Sequence, residues 1–128
     1  IEQLIKAGKY NWFNDDVTSR HFPSNEKGVA EILVYLVNFN RYISSEDAIK
    51  ELDRQGLRPT LKELLALGIS QPDLQRNNPI VALGSTWRDS YGRVYVPYLG
   101  GAGGSRYLNL HWWDGDWDSD WQFAAVRK

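Results

Sequence analysis

The residues of this 128-residue chain that could do chemistry are concentrated at its end, in residues 106–128, with the sequence RYLNLHWWDGDWDSDWQFAAVRK. Four of the six tryptophans of the chain lie there, interleaved with four aspartates. They are Trp112, Trp113, Trp117 and Trp121, and Asp114, Asp116, Asp118 and Asp120. Because large flat side chains alternate so densely with small polar ones, the stretch predicts a binding surface built on a packed frame.

The aspartates leave two kinds of chemistry open besides a solvated acidic loop. An EF-hand loop counted from Asp114 requires glycine at position 119 and glutamate at position 125, where Ser119 and Ala125 stand. A looser calcium site is still an alternative. Two of the carboxylates could also act as the acid and base of a glycosidase, with Trp117 and Trp121 stacking a sugar ring. That reaction requires a particular carboxylate separation and a raised pKa, which a sequence does not reveal.

Other possible sites are weaker. The only histidines, His21 and His111, lie far apart in the chain, so they do not favour a metal pair or a nucleophile-base pair. The glycine-rich tract 99–105 lacks the lysine and the following helix of a phosphate-binding loop. The tripeptide 71–73 (QPD) matches a sugar-specificity motif of calcium-dependent animal lectins, but the partner tryptophan-asparagine-aspartate motif is missing. A turn is therefore the better interpretation of this tripeptide.

Composition limits the class of protein. The length predicts one domain, residues 1–128. A net charge of -1 provides no overall field for nucleic acid or an anionic membrane, and no apolar run is long enough to insert into a membrane. The absence of cysteine excludes disulfides, thiolate metal sites and cysteine nucleophiles. Because methionine is also absent, we expect the native start, with any targeting segment, to lie upstream.

The first half of the chain predicts two strands and two helices. An aromatic strand at residues 10–13 is followed by a loop at 17–28 and by a central strand from Val29 to Phe39, which is apolar on both faces. The pair Ser44-Ser45 caps a helix that ends at Gly56. Residues 60–63 (TLKE) fit a capping box for a second helix, which Gly68 would end.

The second half predicts mainly strands. A polar loop at 71–79 precedes a buried strand at 80–83, and a turn at 89–92 leads to a hairpin partner at 93–98. Pro97 indicates that this partner lies at an edge or ends there, and the tract 99–105 favours a flexible loop. In residues 107–112 the alternation predicts a buried face of Leu108, Leu110 and Trp112, and an exposed face of Tyr107, Asn109 and His111.

The last predicted strand, residues 121–126, is expected to pair with the N-terminal aromatic strand, because chain ends commonly lie close together in compact domains. The predicted fold class is therefore α+β, with two helices inserted among twisted antiparallel strands and with the N- and C-terminal strands paired.

The order of these elements resembles the variable proteins of diversity-generating retroelements, in particular the small forms from archaea and uncultivated bacteria. The resemblance is carried by residues 61–68 (LKELLALG), 79–87 (PIVALGSTW), 96–99 (VPYL) and 123–128 (FAAVRK). It implies a C-type lectin fold without a calcium site or disulfides. It also implies a surface that adenine-directed mutagenesis diversifies to recognise varied ligands.

The genetic code relates this resemblance to the sequence. An asparagine codon AAC that is mutated at its adenines yields aspartate, serine, histidine, glycine or tyrosine, whereas the tryptophan codon TGG contains no adenine. We therefore expect the variable region, residues 106–122, to combine protected tryptophans with replaceable polar positions. The predicted recognition face consists of Tyr107, Asn109, His111, Asp114, Gly115, Asp116, Asp118, Ser119 and Asp120. The predicted framework aromatics are Trp87, Trp112, Trp113, Trp117, Trp121 and Phe123, although Trp112 and Trp117 are also candidates for ligand contacts.

The sequence thus predicts a non-enzymatic ligand-binding protein with no cofactor and no metal. Its partner is expected to be a protein or a polar surface ligand, and any association with a cell surface to depend on a partner or on a segment outside this chain. A carbohydrate-binding module or glycosidase that uses tryptophan platforms is the alternative. The formylglycine-forming enzymes of the same fold use cysteine, which this chain lacks.

Overall fold

A computed structural model of the chain describes residues 1–23, 34–58 and 61–127. Within these ranges there are four helices: α1 (Glu2–Gly8), α2 (Ser45–Arg54), α3 (Leu61–Ser70) and α4 (Leu74–Asn77). The strands in the same ranges are β1 (Trp12–Phe13), β2 (Tyr35–Val37), β3 (Ile43–Ser44), β4 (Leu57–Arg58), β5 (Ile80–Val81), β6 (Trp87–Arg88), β7 (Val94–Ala102), β8 (Ser105–Trp112), β9 (Asp116–Trp117) and β10 (Gln122–Arg127). The architecture is mixed α+β, and the α+β prediction is confirmed at this level.

Eight strands form one mostly antiparallel sheet in the order β1-β8-β7-β5-β10-β2, with β4 paired to β10 and β6 paired to β7. Among the strand pairs of the described ranges, β1 with β8 and β5 with β10 run parallel, and the others run antiparallel. The long hairpin of β7 and β8 is registered from Tyr95 opposite Trp112 to Ala102 opposite Ser105. Strands β3 and β9 form a separate pair, which connects the start of α2 to the tryptophan-rich segment.

Side chains alternate between the two faces of the sheet along each strand, and each face packs against other elements. On one face, Leu99 and Leu108 pack with Leu64 and Leu65 of α3 and with Ile5 of α1. On the other face, the core contains Val81, Val96 and Phe123 of the sheet together with Leu52 of α2 and Trp117 of β9. None of the helices in the described ranges is long and apolar enough to cross a membrane.

The predicted pairing of the N- and C-terminal strands is wrong. Strand β1 pairs with β8, whereas β10 pairs with β5, β2 and β4. The physical reason is burial: residues 123–126 of β10 are all buried and need neighbours on both sides, whereas Trp12 and Phe13 of β1 are 52% and 44% exposed and suit an edge.

The strand predicted from Val29 to Phe39 falls partly outside the described residues, which resume at Val34. Its described part, β2, is three residues long and ends the sheet order instead of lying at its centre. Two polar residues explain why β2 ends before Phe39. Asn38 turns its side-chain amide to the carbonyl oxygen of Ser119, and the chain then bends at Asn40, whose φ is +55°.

The flexible loop predicted for residues 99–105 is wrong as well. The hairpin strands continue through the tract, with only Gly103 and Gly104 at the turn, at φ values of +57° and +86°. Pro97 is also internal to the sheet and not at an edge. The Pro97 carbonyl accepts a hydrogen bond from the Ala82 N–H. The N–H and C=O of one strand residue point to the same side, so the N–H that proline lacks would face the gap between β5 and β6. No strand pairs with β7 at that point, so no hydrogen bond of the sheet is lost.

The two predicted helices are confirmed as α2 and α3, and their ends differ in detail. Ser44 caps α2, and its side chain accepts the Asp47 N–H at 3.1 Å. The predicted cap of α3, Thr60, lies outside the described residues, but Ser85 Oγ accepts the Leu61 N–H at 2.7 Å. Gly68 does not end α3, which continues to Ser70, and the polar loop predicted for 71–79 contains α4.

Candidate ligand-binding face

Three members of the recognition face share one face of β8. Tyr107 and Asn109 are half-buried and His111 is exposed, whereas Leu108 between them is fully buried on the other face. All three lie beside Tyr98 of β7: the ring centroid of Tyr98 is 6.1 Å from that of Tyr107 and 6.0 Å from that of His111. Asn109 is the register partner of Tyr98. The three side chains therefore share one face of the strand as predicted, but only His111 of them is exposed, and Leu110 on the other face is half-buried like Tyr107 and Asn109.

The remaining members lie in the turns around β9. Asp114, Gly115, Asp116, Ser119 and Asp120 are exposed, and Asp118 is half-buried. Three hydrogen bonds from side chains to backbone groups hold the turn 118–120. Asp118 Oδ1 accepts the Asp120 N–H at 2.9 Å. The side-chain amides of Asn38 and Asn78 donate to the carbonyl oxygens of Ser119 and Asp120. The side chains of Ser119 and Asp120 can therefore change without loss of these backbone bonds.

Besides Asp118, whose carboxylate holds the turn 118–120, two further positions of the recognition face carry structural constraints. Gly115 has a φ of +99°, a left-handed conformation that L side chains rarely adopt, so another residue there would be strained. Asn109 Oδ1 accepts a hydrogen bond from Asn14 Nδ2 at 3.1 Å, which ties β8 to the chain after β1. Replacement at these two positions costs more than at the exposed aspartates.

The framework is centred on Trp117, which is 1% exposed. Its indole Nε1 donates to Ser45 Oγ at 2.8 Å, and Ser45 Oγ donates to the carbonyl oxygen of Trp113 at 2.6 Å. Ser45 is itself fully buried at the first position of α2. One serine hydroxyl therefore joins the helix to two tryptophans of the C-terminal segment, and Phe123, also 1% exposed, completes the packing at a centroid distance of 6.1 Å from Trp117.

Trp113 is half-buried and is anchored at the same helix end. Its Nε1 donates to Glu46 Oε1 at 2.9 Å, and this hydrogen bond holds the pKa of the Glu46 carboxyl below its usual value. Trp121 is half-buried and makes edge contacts with Trp117 and Tyr98, at centroid distances of 4.6 and 5.1 Å. These two tryptophans thus join the buried frame to the open face.

Two of the predicted framework aromatics lie elsewhere. The expected burial of Trp112 is wrong: the residue is 57% exposed, with the Arg93 guanidinium 5.7 Å from its ring centroid. Trp87 is half-buried on β6, stacked between His21 and Tyr95. Tyr95 is the register partner of both tryptophans, so Trp87 and Trp112 lie on the sheet face opposite His111.

A pocket of about 210 Å³ opens beside the recognition face, between α4 and the β7-β8 hairpin. Its lining consists of Gln75, Arg76, Asn77, Asn78, Pro79, Tyr98, Gly100, Gly101, Tyr107 and Trp121. Gly100 leaves room for the Tyr107 ring beside the pocket, because a Cβ there would lie 2.7 Å from the ring in its present position.

The polar groups at the pocket are largely held in place. Gln75 Nε2 donates to the carbonyl oxygens of Gly100 and Tyr107, at 2.9 and 3.1 Å, so α4 is tied to both hairpin strands. Arg76 pairs with Asp73 and donates to the carbonyl oxygen of Gly104. Burial raises the pKa of the Tyr98 phenol above its ordinary value.

Sequence reasoning missed Tyr98, Asn77, Asn78 and Trp12 as residues of this region. Trp12 is the register partner of Tyr107, which places it at the β1 side of the same face. A signal for Tyr98 was present in the alternation of β7, in which Val96 and Tyr98 share a face. Nothing local pointed to Asn77 and Asn78, because the position of α4 over the hairpin is decided by long-range contacts with Gly101.

The acidic loop does not assemble a metal site in the described ranges, where no group of three or more His, Asp or Glu side chains comes close enough to hold an ion. No carboxylate belongs to the pocket lining given above. Comparisons of the chain with protein-family models, with curated proteins and with solved structures give no match. The function must therefore be argued from the geometry of this face.

Proposed function

We propose that this chain is a non-enzymatic ligand-binding protein of the C-type lectin type, whose C-terminal surface is diversified by adenine-directed mutagenesis. The observation that carries the proposal is the separation of burial within residues 106–122. Trp117 is fully buried and hydrogen-bonded to Ser45, whereas no member of the recognition face is buried. Replacing an exposed polar side chain leaves the core contacts intact, so specificity can change while stability is kept.

The mixed fold also supports the proposal. The tryptophan-rich segment leaves the central hairpin, forms β9 against β3 and returns to the sheet as β10. Both ends of the segment are thus anchored in the largest sheet, which fixes the backbone that carries the recognition face. Rigid anchoring of an exposed surface lowers the entropic cost of binding a ligand.

The DNA around the gene tests the proposal most directly. We expect a second copy of the segment that encodes residues 106–122, differing only at adenines, beside a reverse transcriptase gene. If the flanking DNA lacks such a copy, the diversification part of the proposal is wrong.

A display library tests the structural part. Asn109, His111, Asp114, Asp116, Ser119 and Asp120 would be replaced by AAC codons mutated at their adenines, and a control library would vary Leu108, Trp117 and Phe123 to the same extent. Most members of the first library should fold and resist protease, and it should contain binders to some members of a panel of purified proteins. The control library should lose protease resistance, because each buried large side chain stabilises the fold by roughly 1.5 to 3 kcal/mol. Equal losses in the two libraries would contradict the separation of frame and face.

Carbohydrate binding is a second candidate because two phenols, an indole and three amide side chains line the pocket. Glycoside hydrolysis is less favoured. It requires a pair of carboxylates on either side of the scissile bond, and the lining contains none. A hydrolysis assay with aryl glycosides checks this point: release of the aryl alcohol that Asp118→Asn abolishes would support a glycosidase.

A further inference from the structure

We propose that the pocket between α4 and the β7-β8 hairpin is a constant subsite that binds one uncharged sugar ring, while the recognition face beside it varies. This inference rests on the proposed function. It goes beyond the proposed function because it names a second site, a ligand class and residues that diversification leaves unchanged.

The constancy follows from the position of the lining residues in the chain. Tyr107 is the only lining residue that belongs to the recognition face, and Trp121 has a codon without adenine. Every other lining residue precedes position 106, outside the expected variable region. Substitutions at His111 or Ser119 therefore change what lies next to the pocket and leave most of the pocket itself as it is.

The size of the pocket indicates a single ring. A volume of about 210 Å³ lies below the range of roughly 300 to 1,000 Å³ that encloses a drug-sized ligand. Trp121 and Tyr98 make an edge-to-face pair at 5.1 Å, and Tyr107 stands nearly perpendicular to Tyr98, at 88°. Aromatic rings in two orientations present both a face for the apolar C–H groups of a sugar and hydroxyls for its polar edge.

The charges around the pocket favour a neutral ligand over an ionic one. Arg76 is the one residue in the described lining that carries a full charge at neutral pH, and it is paired with Asp73 at 2.9 Å. Its positive charge disfavours a second cation, and Asp73 weakens its attraction for an anion. The amides of Asn77 and Asn78 offer donors and acceptors together, as hydroxyl groups require.

Nuclear magnetic resonance of the isotope-labelled protein tests the proposal. Methyl glycosides of glucose, galactose, mannose and N-acetylglucosamine would be added separately, with arginine methyl ester and N-acetylneuraminic acid as charged comparisons. At least one neutral glycoside should shift the Trp121 indole resonance and the Asn77 and Asn78 amide resonances, with an affinity in the millimolar range typical of one ring. No such shift for any neutral glycoside, or shifts at this site only for a charged compound, would overturn the proposal.

Matched variants show where the glycoside binds. Asn77→Ala removes an exposed amide of α4 and should weaken binding by roughly three- to tenfold, the loss of one hydrogen bond. Arg88→Lys, at an exposed position outside both the pocket lining and the recognition face, should leave the affinity unchanged. Asp114→Ser tests the other location: binding that responds to Asp114→Ser but not to Asn77→Ala would place the glycoside on the recognition face and contradict a separate subsite.

The two proposals can fail separately. If the flanking DNA lacks an adenine-divergent copy but a glycoside still binds beside Trp121, the sugar site stands and its constancy among diversified variants is lost. If the DNA contains that copy and no neutral glycoside shifts the pocket resonances, diversification stands and the sugar subsite is rejected.

Discussion

At the scale of single residues, Trp112 and Trp117 show that the same side chain takes opposite roles within six positions. Burial falls along β8 from Leu108, which is fully buried, through half-buried Leu110 to exposed Trp112, because the core on this face includes Leu108, reaches Leu110 at its margin and does not extend to Trp112. Trp117 instead turns into the second core under α2. Alternation alone does not reveal where a covering layer ends.

Matched phenylalanine variants test this difference. Trp117→Phe should lower the free energy of unfolding by about 1 to 3 kcal/mol, because it leaves a cavity and removes the indole donor to Ser45. Trp112→Phe should change it by less than about 0.5 kcal/mol, as expected for an exposed position. Urea denaturation measures both. Similar losses in the two variants would mean that Trp112 also belongs to the frame.

Tyr10 provides a pH-dependent test. Burial raises the pKa of its phenol to about 12 from an ordinary value of 10.0. Because the folded-state pKa is the higher one, the associated stability is complete below pH 10 and is lost as the pH rises towards 12. The loss in the free energy of unfolding should reach about 2 to 3 kcal/mol. Tyr10→Phe should remove this part of the alkaline destabilisation and keep the stability at pH 7, since the hydroxyl has no hydrogen-bond partner among the described residues.

The comparison of the two proteins isolates Tyr10, because every other titrating group is present in both. Urea denaturation at several values between pH 8 and pH 12 measures the difference. If the wild-type and Tyr10→Phe proteins lose stability in parallel across this range, the Tyr10 phenol is not held neutral by burial.

At the scale of elements, the contact between α1 and α3 explains why a glycine lies inside a helix. Gly68 has no Cβ, and a Cβ there would overlap the Tyr10 hydroxyl and lie 3.2 Å from Leu99 Cδ1. Tyr10 lies two residues after the end of α1, so the glycine lets that segment pack closely on α3. The local cost of glycine in a helix, about 1 kcal/mol, is offset by this packing.

A double-mutant cycle tests the close approach. Gly68→Ala should destabilise the protein by about 1 to 3 kcal/mol, although alanine is the better helix former. The same substitution in a Tyr10→Phe background should cost less, with a coupling energy of about 1 kcal/mol, because the overlapping hydroxyl is gone. Ala66→Gly, at an exposed position of α3, is the control and should show no coupling to Tyr10. Additive effects of Gly68→Ala and Tyr10→Phe would rule out the proposed contact.

The start of α2 divides two tasks between adjacent serines. Ser44 caps the helix, and Ser45 holds Trp113 and Trp117. Ser44→Ala should therefore cost about 1 kcal/mol, the usual value of a cap. Ser45→Ala should cost about 2 to 4 kcal/mol, because it leaves a buried indole N–H and a carbonyl oxygen without their partner. Thermal unfolding of both variants would show which one loses more stability. A larger loss of stability for Ser44→Ala than for Ser45→Ala would reverse this assignment.

At the scale of the whole molecule, Arg106 connects elements that are distant in sequence. It is 5% exposed, and its guanidinium donates to the carbonyl oxygens of Gly8, Gly68 and Pro72 and to Gln75 Oε1. Gly8 is the last residue of α1 and Gly68 lies in the last turn of α3, where carbonyl groups carry partial negative charge. Although Arg106 opens the expected variable region, its burial requires an unchanged residue there.

Arg106→Lys tests this connection. Lysine keeps the charge but does not reproduce the planar set of donors, so buried acceptors and a buried charge are left poorly satisfied. We expect a loss of about 3 to 5 kcal/mol in the free energy of unfolding. Arg88→Lys, at an exposed position, should change it by less than about 0.5 kcal/mol. A loss for Arg106→Lys no larger than that of this control would show that the buried guanidinium is dispensable.

The sequence by itself determined the features that depend on neighbouring residues. The Ser44 cap, the turn at Asp89 and Gly92, and the shared strand face of Tyr107, Asn109 and His111 all follow from local hydrogen bonding or periodicity. These features place α2, the turn between β6 and β7, and three of the nine members of the recognition face. Each can be read from a few consecutive residues because its stabilising contacts lie within one turn or one strand.

Only the tertiary structure decided which strands pair, which tryptophans are buried and where the pocket lies. β10 pairs with β5, β2 and β4 because its four buried residues need neighbours on both sides, and β1 is left to the edge beside β8. Trp117 is buried because Ser45, 72 positions earlier, meets its indole. The pocket exists because α4 packs on Gly101. These contacts join residues far apart in the chain, and their energy depends on the surface that each partner removes from water, which no local pattern specifies.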